Sequence, residues 1–160
     1  MFFRITARLG AGLLLLTLLS CAGTLEPENR QEEQPEKEIP MPAQINISIS
    51  GTTLPVNIED NAATRALVEA LRKTSITYTA RDYGGFEKVG ALGRSLPASD
   101  SQITTHAGDV ILYNGNQIVL FYGSNSWSYT RLGKIGFSTL DELKSFLKAG
   151  GGDVTVTLSL

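Results

Sequence analysis

Between Tyr122 and Arg131 the chain reads YGSNSWSYTR, a stretch that holds its only tryptophan beside two tyrosines and an arginine. These residue types suit recognition. Trp and Tyr rings offer broad apolar faces with one polar atom each, and an arginine donates to an anion or a carbonyl. Trp127, in a Gly-Ser-Asn-Ser loop, is either a stacking surface for a ligand or a lid on one end of a barrel. Tyr129 and Arg131 alternate with Gly133, which puts all three on one face of a strand. Arg131 is then either the donor of a pocket or the ion-pair partner of Glu87 or Asp109. A second group, Tyr83, Glu87 and Lys88, surrounds and follows the Gly84-Gly85 turn. Adjacent strand positions face opposite ways, so Glu87 and Lys88 form no acid-base dyad and Glu87 is a lone candidate base.

Other chemistries lack their parts. His106 is the single histidine and Cys21 the single cysteine, so the domain offers no soft-ligand set for zinc or another transition metal. Ser124 and Ser126 have no histidine at a suggestive spacing for nucleophilic catalysis. Gly84-Gly85 and Gly150 to Gly152 lack the strand-to-helix context of a phosphate loop, and no cofactor is expected. From Ile45 onward ten acidic residues balance ten basic ones with no basic cluster, which excludes a nucleic-acid partner.

The front of the 160-residue chain is an address and a tether. Arg4 and Arg8 precede an apolar run from Leu9 to Leu19 that is too short to span a bilayer comfortably, the build of a secretory signal. It ends Leu18-Leu19-Ser20-Cys21, which resembles the bacterial lipobox. That resemblance implies lipid modification and palmitate on Cys21, a signal peptide at 1–20, and a membrane partner reached through lipid. Ala22 stands where Asp would argue for inner-membrane retention, so the expected destination is the outer membrane or cell surface of a bacterial envelope. Residues 21–44 carry the lipid site and a Glu-, Pro- and Gln-rich stretch with almost no large apolar residue, a composition expected to be disordered.

From 45 to 160 the patterning is that of one β-domain. Ile45, Ile47 and Ile49, then Leu54, Val56 and Ile58, alternate with small or polar residues on either side of Gly51. Asp60 or Asn61 caps a helix to about Arg72 with the stripe Ala63, Leu67, Val68 and Leu71. Strands follow at Ser75–Arg81 and Glu87–Leu92. Gly93–Gly108 lacks periodicity and is expected to be an ordered surface loop. Val110–Phe121 is a hairpin turning at Asn114-Gly115, a dipeptide that accepts positive φ at both positions. A second helix begins at Ser138 or Thr139 and carries the stripe Leu140, Leu143, Phe146 and Leu147. A final strand at Asp153–Leu160 is expected beside the first. Seven or so one-sided strands and two short helices fit a closed or nearly closed barrel, mainly β, with the helices over its ends.

The segments DNAATRALVEAL, DYGGFEKVG, GDVILYNGNQIVLFYGSNSWSYTRLGKI and GGGDVTVTLSL resemble the bacterial cyclophilin-like domains, relatives in fold of the peptidyl-prolyl cis/trans isomerases. The resemblance implies an eight-stranded barrel capped by two short helices. Within it, Asn116-Gln117-Ile118-Val119 is similar to the isomerases' Gln-containing strand, Trp127 to their tryptophan, and Gly133-Lys134-Ile135 to their closing tripeptide. The isomerases' Phe-His-Arg is missing, Ile118 and Val119 replace a Phe pair, and Arg131 stands where a histidine is expected. Arg81, Arg94 or Arg131 would have to supply the cationic donor. The expected function is a binding module for a peptide or small ligand without efficient catalysis. The alternatives are a prolyl isomerase assisting folding at the envelope, and a structural envelope lipoprotein. The candidate ligand contacts are Tyr83, Glu87, Gln117, Tyr122, Trp127, Tyr129 and Arg131.

Overall fold

The computed structural model describes residues 40–160, so the expected signal peptide, Cys21 and nearly all of the tether lie outside the described residues. Strands β1 (Gln44–Ile49) and β2 (Thr52–Ile58) form the expected first hairpin, turning through Ser50 and Gly51, both at positive φ. Helix α1 spans Ala62–Lys73. Asn61 is its cap: its side chain accepts from the Thr64 backbone N–H at 3.0 Å, and the Thr64 hydroxyl accepts from the Asn61 N–H. Both groups satisfy donors that the first helical turn leaves open. Strands β3 (Ile76–Tyr83) and β4 (Glu87–Ala91) follow, joined through Gly84 and Gly85 at positive φ.

The stretch Gly93–Gly108 is not all loop. Ser101–Thr104 forms β5, pairing with Ser126–Tyr129. Its sequence, SQIT, has one apolar residue, too few for any period to register. Strands β6 (Asp109–Tyr113) and β7 (Gln117–Phe121) make the expected tight hairpin, with φ of 50° at Asn114 and 70° at Gly115. Strand β8 runs Ser126–Ile135, helix α2 Leu140–Leu147, and β9 Val154–Ser159. The cap of α2 is Thr139, whose hydroxyl accepts from the Glu142 N–H, while the Glu142 carboxylate accepts from the Ser138 N–H. Leu140, expected in the apolar stripe, is 44% exposed because the first turn of α2 lies at the surface.

Pairing runs β2-β1-β9-β3-β4-β7-β6-β8 and returns from β8 to β2, an antiparallel ring of eight strands, with β5 added to β8 alone. The count is one more than periodicity suggested and matches what the family resemblance implied. Its interior is filled by inward residues of the strands, among them Ile47, Val56, Leu112, Leu120 and Val156, together with Leu67, Val68 and Leu71 of α1 and Leu143 and Leu147 of α2. Each such side chain withdrawn from water contributes roughly 1.5–3 kcal/mol before entropy is counted.

A second, smaller apolar cluster lies on the opposite face of β6, β7 and β8: Ile111, Val119, Phe121 and Tyr129, with Phe86, Val89, Ile103 and Tyr113 packed against them. Residues of β6 change cluster from one position to the next, Val110 and Leu112 inward and Ile111 outward. The sheet is therefore apolar on both sides here, which produces the unbroken runs VILY and QIVLF.

One polar group is built into the inner side. Lys88 is 0% exposed, and its ammonium donates to Asp82 at 2.8 Å and to the Gly152 carbonyl. Asp82 also accepts from the Tyr122 hydroxyl at 3.0 Å, the Gly150 N–H at 3.1 Å and the Gly152 N–H at 3.0 Å. Burial opposes the charge on Asp82, yet the hydrogen bonds from Lys88, Gly150, Gly152 and Tyr122 outweigh it and hold the carboxyl below its usual range. A depressed folded-state value means that this stabilisation is present at neutral pH and is lost as pH falls below about 4. Replacing Asp82 by Ala strands a buried ammonium, and chemical denaturation at pH 7 is expected to show a loss of about 3 kcal/mol or more. A loss below about 1 kcal/mol would mean that Lys88 finds another partner.

Candidate functional site

The outer face of the barrel carries a cavity of about 820 Å³. Strand alternation explains its lining. In β3, Ile76, Tyr78 and Ala80 are buried, while Thr77, Thr79, Arg81 and Tyr83 turn outward to form one wall. Register then sets Val89 beside Arg81 and Glu87 beside Tyr83. The next strand brings Val119 opposite Val89, and Gln117 opposite Ala91. Tyr113 pairs with Gln117 across the hairpin, and Trp127, Tyr129 and Asn125 complete the opposite wall. Gly90 stands where no side chain fits: a Cβ there would lie 2.5 Å from the Thr79 carbonyl and 2.5 Å from the Tyr78 ring.

The aromatic wall is braced from behind. The Tyr129 ring meets Tyr113 edge-on at 5.8 Å and Phe121 edge-on at 5.9 Å, and Phe86 stacks on Phe121 at 6.3 Å. Such pairs are each worth about 0.5–1.5 kcal/mol beyond burial and hold the ring planes fixed. The Asn125 amide donates to the Tyr129 hydroxyl at 2.9 Å. At the mouth, Tyr83 and Trp127 are 66% and 55% exposed.

Glu87 is the one acidic side chain of the cavity lining and is only 5% exposed. Its Oε2 has no hydrogen-bond partner. With nothing to compensate the lost hydration, burial raises its carboxyl to about 7. Burial and the Asn125 hydrogen bond act in opposite senses on the Tyr129 hydroxyl, and its acidity ends below the ordinary tyrosine level with the Glu87 charge adding to the effect. Arg81 lines the same cavity, exposed, with no ion pair among the described residues. The chemistry available is therefore an apolar, ring-lined slot with one proton-accepting carboxyl and one guanidinium.

Of the seven residues singled out in the sequence, the cavity brings together Tyr83, Glu87, Gln117, Trp127 and Tyr129. Tyr122 lies elsewhere. It belongs to the interior cluster, its hydroxyl is committed to Asp82, and burial with that contact pushes it up to about 12. Arg131 also lies away from the cavity, in a small depression with Glu59, His106 and Asp109. Its guanidinium is held at 2.5 Å by Asp109, one of the two partners the sequence had offered, and at 3.5 Å by Glu59. The expected common face also breaks. Arg131 pairs with Ile111 but Gly133 pairs with Val110, so Leu132 is an extra residue and Gly133 falls on the other face. The bulge sits where Gly133 must pass the Asn57 carbonyl, 2.2 Å from where a Cβ would be. Tyr113, Asn125, Thr79 and Val119 were not singled out; the pairing of Tyr113 with Gln117 across a legible hairpin was the signal that pointed to the first of them. Among the described residues no group of three or more His, Cys, Asp or Glu converges as a metal site would.

An eight-stranded antiparallel ring filled with strand and helix side chains defines a cyclophilin-type barrel, here with a cavity on its outer wall. The chain belongs to the cyclophilin-like family, whose profile matches residues 47–159. A solved relative in fold is a hypothetical protein from Archaeoglobus fulgidus, whose solution structure aligns with a TM-score of 0.52 at 17% identity over 77% of this chain and 98% of that one. Comparison with curated proteins found no match.

The raised carboxyl of Glu87 has a consequence for stability. Its folded-state value lies above the ordinary 4.5, so its contribution to stability is full below that pH and is lost as pH rises through about 7. Thermal or denaturant unfolding at pH 5 and pH 8 is expected to show Glu87→Gln gaining on the wild type by on the order of 2 kcal/mol at the higher pH. Parallel pH profiles for the two proteins would contradict the assignment.

Proposed function

We propose that the chain is an exported, lipid-anchored binding module that takes a peptide or a small ligand into the cavity between β3 and β8. The observation that carries this reading is the exposure of Trp127 and Tyr83 at the mouth of an open cavity whose inner rings are already braced. Large exposed aromatics over a pre-formed pocket favour ligand contact, because little ordering is left for the ligand to impose. The cysteine and apolar run before the domain support export and anchoring by lipid at a bacterial envelope.

A second reading, prolyl isomerisation, is favoured by one feature: a guanidinium, Arg81, and an apolar slot share the cavity. Rotation about the prolyl amide needs a donor at the amide where its double-bond character is lost. In that reading Arg81 would be the donor, since Arg131 is held by Asp109 and Glu59.

Two measurements on the full-length chain in detergent separate these readings. Emission from Trp127, the only tryptophan, is expected to shift saturably with at least one member of a panel of short peptides and metabolites, and a silent panel would overturn the binding reading. An isomerisation assay on a proline peptide is expected to show no acceleration, whereas acceleration lost in Arg81→Ala would establish the enzyme. For the anchor, Cys21→Ser is expected to abolish palmitate incorporation in a bacterial host, and unchanged labelling would refute lipidation at that residue.

A further inference from the structure

We infer that the cavity selects a ligand bearing a protonated amine on an aliphatic stem, with the ammonium received by Glu87. This rests on the binding reading above and specifies the chemistry of what is bound. Glu87 lines the cavity nineteen-twentieths buried, and Oε2 lacks any partner in the protein. A buried acceptor left unpaired is costly, and that cost is recovered when a ligand donates to it. The Tyr78 hydroxyl is the other buried, unpartnered polar atom of the lining, but it is neutral, so Glu87 is the group on which a cationic donor gains most. Arg81 is exposed and solvated already, and the Tyr129 hydroxyl is engaged by Asn125. An ammonium carries three donors and the opposite charge, and the stem behind it would run between Tyr83 and Trp127, whose ring faces favour both methylenes and a nearby cation.

The surroundings of Glu87 are consistent with a single charge-bearing receptor. From β3 it is met by Tyr83, with Arg81 one alternate position away and Asp82 turned to the inner face. On its own strand Lys88 points inward to Asp82. Across β7 its partner is Phe121, and Tyr122 beyond it is bonded to Asp82. Tyr78 of β3, whose hydroxyl burial holds in the neutral form, Tyr113 of β6 and Tyr129 of β8 supply the remaining titratable groups of the lining. Among these described groups no cation is paired with Glu87, and Arg81 would repel a second positive charge on the ligand. A monoamine is therefore preferred to a diamine. The same chemistry is offered by a lysine side chain or by a free alkylamine.

The test uses Trp127 emission from the full-length chain in detergent, with n-butylamine, 1-pentanol, butyrate, Nα-acetyl-lysine methylamide and Nα-acetyl-norleucine methylamide as probes. At least one of the two amines is expected to bind tenfold or more tightly than its uncharged counterpart, and which one does so identifies the source. Only ionised Glu87 receives the cation, so affinity is expected to weaken about tenfold from pH 8 to pH 6. Glu87→Gln is expected to erase both the amine preference and the pH dependence, and the wild-type pH profile stands as the second measurement if that variant is poorly folded. Amines that bind no better than their uncharged counterparts, or a preference retained in Glu87→Gln, overturn the inference. If the uncharged probes or butyrate alone shift the emission, the binding reading survives that failure; if no probe and no member of the earlier panel does, both fall.

Discussion

The buried contact between Lys88 and Asp82 fixes the wall on which everything else is mounted. The two residues are cross-strand partners on β3 and β4, and they face inward. Asp82 gathers two further backbone donors from the glycine loop before β9 and a hydroxyl from the end of β7. Three parts of the chain distant in sequence, the β3–β4 hairpin, Tyr122 and the glycine loop, thus meet at one carboxylate. Because side chains alternate along a strand, locking Asp82 and Lys88 on the inner face orients Tyr83 and Glu87 on the outer one. The ion pair is satisfied by several hydrogen bonds, the condition under which a buried charge is tolerated.

On the far side of the cavity the constraint is packing. Trp127 lies on a length of β8 that pairs only with β5, while Thr130–Lys134 pairs with β6 and Gly133–Ile135 with β2. The outer half of β8 therefore leaves the ring, and β5 gives its backbone donors and acceptors a partner there. Thr130 ties the preceding loop to this strand, donating to Asp100 at 2.6 Å and accepting from the Ser99 N–H at 2.8 Å. Thr105 does the same at the other end of β5, against Asn125. The exposed indole is thus carried on a ribbon bonded at both ends.

Much of the barrel was legible because its one-sided strands obey period two, its two-sided ones are short apolar runs, and its turns carry glycine or Asn-Gly where positive φ is needed. Ile45 to Ile58, Val110 to Phe121 and the last strand all fold as their patterns read. Strand β5 was hidden because SQIT offers a single apolar residue, and Leu140 misled because a short helix exposes its first turn. The site was half legible. Residue type picked out Trp127, Tyr129, Tyr83 and Glu87, and likeness to an isomerase strand picked out Gln117, and all five converge. Arg131 stays in register on the face of Tyr129 but is drawn away by Asp109 and Glu59, twenty-two and seventy-two residues back along the chain, while the bulge beyond it turns only Gly133. Tyr122 was displaced by a partner, Asp82, that lies forty residues away along the chain. Neither cause is a local property of the sequence around the residue concerned.

The pairing of β9 with both β1 and β3 governs how the domain comes to be folded. Asn46 sits opposite Ser159, so the ring has no closed form until nearly the whole domain has been synthesised. Before that point β1 and β3 each present an unsatisfied edge. Contacts of such long sequence separation give slow folding, in the millisecond-to-second range typical of β-barrels, and leave unpaired edges open to other chains meanwhile. A chain built this way gains from being kept apart from its copies until its last strand is in place.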